Sequence, residues 1–216
     1  MLNANVINTL SGLLLLTSLL VIETRKPRQS ALLYSLQSLI LVLIFAALAT
    51  LMGAPQLYLW AASAFLTKAI LVPLILYLAL AKVDETTTSL NTVSAPVSII
   101  LAAVAVVVSF TVVSQIELKS AAAFIPALAI SVAHFFFGQL CIVTQRNIFK
   151  QILGFCLMEN GSHLTLALLA YRAPELVEIG IATDAVFAVI VLVLLAGQIY
   201  KRLHTLDSAE LNVLKG

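Results

Sequence analysis

Seven apolar runs follow one another along the chain, at about 5–22, 31–52, 57–81, 94–114, 121–144, 148–171 and 178–200. At a rise of about 1.5 Å per residue, a helix of ~20 residues crosses a hydrocarbon core ~30 Å thick. The runs are uniformly apolar, without the alternation over segments of ~10 residues that a membrane β-barrel requires. The pattern therefore predicts an all-α fold, a polytopic membrane bundle of seven transmembrane helices. Short polar breaks separate the runs: Glu23 to Ser30, Gly53-Ala-Pro55, Lys82 to Val93, Gln115 to Ser120, Gln145 to Asn147 and Arg172 to Glu178. The stretch from Asp84 to Thr92 is the most polar of them and reads as a seam. It divides the chain into a three-helix part (1–93), a connecting fourth helix (94–120) and a second three-helix part with a short tail (121–216). No internal repeat of fixed period is evident.

Composition agrees with the pattern. The 216 residues are 62% hydrophobic and 10% charged, and the mean hydropathy is +1.09. A water-facing surface needs about a quarter of residues charged, so a soluble domain is excluded. The first run lacks a basic leader and a small-residue cleavage site, and so reads as a retained helix rather than a signal peptide. With the first loop placed inside, the cytoplasmic side collects nine cations: Arg25, Lys26, Arg28, Lys82, Arg146, Lys150, Lys201, Arg202 and Lys215. The other side keeps two, Lys119 and Arg172. Positive charge is retained on the cytoplasmic side, which predicts the N-terminus outside and the C-terminus in the cytoplasm. Cys141 and Cys156 both lie in apolar runs and read as small buried hydrophobes. Neither a metal nor a cofactor site is suggested, and no basic patch points to nucleic acid.

Within the spans, a few ionisable residues stand out, because each costs a few kcal/mol inside hydrocarbon and so marks a candidate site. Glu159 lies about 16 Å into the sixth run, and His163 shares its helical face one turn on. Counted from opposite ends, His163 and Asp184 of the seventh run fall at similar depths, about 22 and 24 Å, so the two meet if their faces oppose. The functional reading is a relay through Glu159, His163 and Asp184; the plainer one is polar side chains holding helices together. Lys68 stands mid-span in the third run, too deep to reach either surface by snorkelling. Pro73, five positions on, removes a backbone donor from that helix. Lys68 suits an ion path, or else an ion pair between helices with Glu159 as a candidate partner. His134 lies among aromatics in the fifth run, where a satisfied structural histidine is the commoner outcome and a relay role the sharper one. Gln37, Ser38, Ser63 and Thr67 read as interhelical hydrogen-bonding groups.

The segment Thr144-Gln-Arg-Asn-Ile-Phe-Lys-Gln-Ile-Leu-Gly-Phe-Cys-Leu-Met-Glu-Asn resembles the loop and second helix of the small three-helix membrane subunit of respiratory complex I. It is equally similar to the C subunit of multisubunit cation/proton antiporters. Arg146-Asn147, Gly154 and Asn160 match that pattern, and Asp184 in Ala-Thr-Asp-Ala matches a second acid on the third helix. The resemblance covers about 121–203. The first glutamate of the pattern falls on Cys156, and this chain has Glu159 three residues later. A chain of this length with added N-terminal helices is similar to the component E subunits of hydrogenase-4, in formate hydrogenlyase-type [NiFe] hydrogenase complexes of bacterial inner membranes. The resemblance implies a non-catalytic membrane subunit of a redox complex. Its expected partners are antiporter-like subunits and the membrane anchor of a redox arm, and it implies no metal or cofactor on this chain. An antiporter subunit or a purely structural scaffold is the alternative.

Overall fold

The computed structural model describes residues 4–83, 92–115, 122–172 and 175–212. The polar seam 84–91, the loop holding Lys119 and the end of the tail with Lys215 lie outside the described residues. Seven long helices form: α1 (Ala4–Glu23), α2 (Pro27–Met52), α3 (Gln56–Leu80), α4 (Ala95–Ser114), α5 (Ile125–Thr144), α6 (Ile148–Leu169) and α7 (Glu175–Leu203). Each is long and apolar enough to cross a membrane, so the chain is an all-α, multi-pass membrane protein. Prolines at the first turns of α2, α4 and α5 start those helices at no hydrogen-bonding cost.

The bundle centres on α2, α5 and α6. The closest pair is α5 with α6, flanked by α1 and α2, while α3 packs on α2. Helices from both sides of the polar seam thus interleave in one bundle, with α1 lying against α2 and α5. Glycines let α5 and α6 touch backbone to backbone. A Cβ at Gly138 would come within 2.3 Å of Met158 N, and one at Gly161 within 2.5 Å of Phe135 N. Small residues at a crossing are how membrane helices gain packing where no hydrophobic force drives them together. By contrast α4 packs mainly on α5, and α7 mainly on α6 and α3, so both leave most of their surface uncovered.

The third helix is irregular where Lys68 sits. Residues Phe65–Leu71 wind as a π-helix before an α-helical turn resumes at Val72. Such π segments recur at functional sites. Pro73 has no N–H to give Ala69 O, and Ser35 Oγ on α2 donates to that carbonyl instead, at 2.6 Å.

The loop between α5 and α6 is tied to the C-terminal tail. Asn147 caps α6, its side chain accepting from Phe149 N and Lys150 N. Arg146 forms a two-pronged ion pair with Asp207, at 2.8 and 2.5 Å. Ile148 N donates to Leu206 O and Ser208 N to Arg146 O, so the tail adds a short extended bridge beside Asn147. The Arg146-Asn147 pair in the sequence therefore docks the tail and caps the helix.

Candidate functional site

Glu159 and His163 lie one turn apart on α6, as their spacing requires, and both turn toward the π segment of α3. Lys68 Nζ donates to both carboxylate oxygens of Glu159 at 2.7 Å and to His163 Nδ1 at 2.8 Å. An ammonium has three donors and no acceptor, so this arrangement uses all of them. Nδ1 must then accept, which puts the ring proton on Nε2. That atom meets Glu178 Oε2 of α7 at 2.5 Å. The four side chains form one continuous line, Glu159–Lys68–His163–Glu178. Lys68 and His163 are 1% exposed and Glu178 2%, and only Glu159 retains partial access, at 16%.

Aromatic side chains wall the line. Trp60 lies over the His163 ring with centroids 5.3 Å apart, and Phe45 meets it edge-on at 4.8 Å. Both are fully buried. In such a dry setting a charge is stable only when paired. With Lys68 charged and both carboxylates ionised, the line carries one excess negative charge, so it has room for one further proton.

The expected meeting of His163 with Asp184 does not occur; Glu178 takes that place. Glu178 reads from the sequence as loop, but α7 begins at Glu175 and includes it. Asp184 misses His163 because it lies on the outward face of α7, and it is six residues, about 9 Å, further along the helix than Glu178. The better signal is proximity to the connection: His163 and Glu178 lie on either side of the α6–α7 turn, each within two helical turns of it. Asp184 instead faces outward from α7 and is exposed.

His134 is buried but belongs to a second network. Gln37 Nε2 donates to His134 Nε2 at 3.1 Å, and His134 Nδ1 meets Ser18 Oγ at 2.9 Å, whose own hydroxyl donates to Leu14 O. Asn160 Nδ2 donates to Gln37 Oε1 at 2.9 Å, with Ser38 alongside. Gln37 and Ser38 thus do bond between helices, whereas Thr67 bonds back to its own helix at Ser63 O. Cys141 and Cys156 are free and buried. Among the described residues no group of three or more His, Cys, Asp or Glu side chains is placed to hold a metal ion.

Sequence reasoning also passed over Lys150 as a surface cation. Its ammonium is fully buried and shares its three N–H donors among four oxygens: Val21 O, Ile22 O and Thr24 O, the last two at 2.9 Å, and Ser30 Oγ at 2.9 Å. The three carbonyls are those at the end of α1, where a cation is favoured by the helix dipole.

Comparison with known proteins places the chain. Hydrogenase-4 component E of Escherichia coli (strain K12) is 52% identical over 211 residues, which cover 98% of this chain and 98% of that protein. The chain belongs to the hydrogenase-4 component E family. The component E proteins of Escherichia coli O157:H7 and Shigella flexneri match with the same identity and coverage. The family model for NADH-ubiquinone/plastoquinone oxidoreductase chain 4L matches residues 126–216. That region holds Glu159, His163 and Glu178, while Lys68 comes from the N-terminal helices outside it. In this chain the region that matches chain 4L is thus preceded by helices that carry Lys68. No solved structure matches.

Proposed function

We propose that this chain is a membrane subunit of a hydrogenase complex in the bacterial inner membrane. In it, the line Glu159–Lys68–His163–Glu178 relays protons between the middle of the bundle and the α6–α7 connection. Membership in the component E family supports the complex, and the chain 4L match supports a complex I-like architecture. The observation that carries the relay is the unbroken contact of four ionisable side chains inside an apolar bundle.

The chemistry balances without a cofactor. Lys68 passes one N–H proton to His163 Nδ1 while His163 releases its Nε2 proton to ionised Glu178. The imidazole ends as the opposite tautomer, Lys68 as a neutral amine and Glu178 as a neutral acid. A proton arriving through Glu159, the one partly exposed member, returns to Lys68, and the cycle closes when Glu178 releases its proton at the α6–α7 connection and the imidazole tautomer resets. A relay fits better than a static ion pair because His163 joins two carboxylates through one cation, an arrangement simple packing does not need. His134 has no comparable role: an amide on one side and a hydroxyl committed to a main-chain carbonyl on the other hold it as a neutral link between α1, α2 and α5. The N-terminus lies outside the cytoplasm in this reading, which sets Glu178 near the outer face.

Glu159→Gln and Glu178→Gln keep shape and hydrogen bonding while abolishing titration. In sealed vesicles carrying the whole complex, each should leave hydrogen-forming activity largely intact and depress proton movement by tenfold or more. Proton movement at the parental rate in the double variant would leave only a scaffold role.

A further inference from the structure

The two long faces of α7 differ in an unexpected way. One is the buried face, with Glu178, Ala182, Ala185, Val189 and Ala196 packed into the bundle. Directly opposite runs a second stripe, Gly180, Asp184, Phe187, Val191, Leu194 and Gln198. Its spacings of 4, 3, 4, 3 and 4 residues are those of a seam between two packed helices. Phe187, Val191 and Leu194 are 63%, 52% and 61% exposed, and Asp184 and Gln198 are exposed as well.

Asp184 is five residues from the middle of α7, about 8 Å along the axis, so it lies within the hydrocarbon thickness. Lipid offers no partner to a carboxylate there. Among the described residues, none forms a hydrogen bond or ion pair with Asp184, and the helix covers the stripe with nothing of its own. A carboxylate and an amide spaced along one exposed seam are built to meet another helix.

We infer that the Gly180–Gln198 stripe of α7 is the docking surface for a transmembrane helix of another subunit of the complex, carrying a lysine or arginine opposite Asp184. Charge complementarity selects this occupant. A second copy of this chain would set Asp184 near its own equivalent, two like charges in low dielectric. Gly180, beside the acid, lets a long basic side chain approach the backbone closely. The inference rests on membership in a multisubunit complex, not on the proton relay, since Asp184 has no contact with the Lys68 line.

The test uses the whole complex in native membranes. Phe187→p-benzoylphenylalanine, irradiated, should give one adduct with a different membrane subunit, identified by mass spectrometry. Asp184→Lys should abolish both that adduct and co-purification of the partner, and exchanging the partner's basic residue for glutamate should restore them. Val191→Trp, which keeps the charge and suits a lipid-facing position, should insert normally yet also lose the partner. That result stands even if Asp184→Lys fails to accumulate. Adducts with a second copy of this chain or with lipid alone would overturn the assignment. So would an Asp184→Lys variant that inserts and keeps its partner.

Discussion

Ser35 Oγ on α2 donates to Ala69 O on α3 at 2.6 Å, replacing the donor that Pro73 cannot supply. A side chain from one helix thus repairs a break in the next, one residue from the lysine of the candidate relay. Ser35→Ala should cost about 1–3 kcal/mol, the penalty of a carbonyl left unsatisfied in a dry site. Thermal unfolding in detergent measures it. Combining it with Pro73→Ala, which restores a backbone N–H, should recover much of the loss, and the double-mutant cycle should show that coupling.

Lys68 ties α3 to α6 through Glu159 and His163. Lys68→Met keeps the length and removes the charge, leaving Glu159 with no cation near it. Breaking a buried pair in this way costs about 3–5 kcal/mol, so the variant should insert but unfold at markedly lower temperature. Lys68→Met with Glu159→Gln should be more stable than Lys68→Met alone, because no lone carboxylate remains. Equal unfolding temperatures for the two would show that the pair contributes no net interaction.

Gly138→Ala places a methyl group where Met158 N already stands. The two helices cannot separate without losing the rest of their contact, so about 1–3 kcal/mol or more is expected from overpacking. Gly197→Ala, with no atom within 4 Å of the added group, should be neutral or slightly stabilising. Comparing their yields of folded protein from membranes checks both.

Orientation is tested by single cysteines. Arg25→Cys should react with a membrane-impermeant thiol reagent only from the cytoplasmic side, and Arg172→Cys only from the outside. Cys141 and Cys156 are buried and should give little background. Labelling of residue 25 from outside would reverse the topology.

Much of the architecture was legible in the residue order, because the bilayer imposes one strong condition. A segment that satisfies its own backbone and is apolar for ~20 residues must be a spanning helix. All seven spans begin and end within about four residues of their expected positions. Lys68, Glu159 and His163 were also marked in advance, since an ionisable group inside such a span stands out by its cost. Asp184 and Glu178 separate what periodicity can say from what it cannot. Both lie on α7, and their angular positions follow from the sequence, but nothing in one helix says which face its neighbours cover. Glu178 meets His163 because α7 lies against α6 and α3; Asp184 does not because its face points away. The charge of Lys150 likewise argued for the cytoplasmic surface, and packing brought it three carbonyls at the end of α1 and the Ser30 hydroxyl of α2. Sequence by itself determined the helices, their number and the ionisable groups they carry. Which of those groups touch was decided by how the helices pack, since that choice depends on pairwise contacts between segments far apart in the chain.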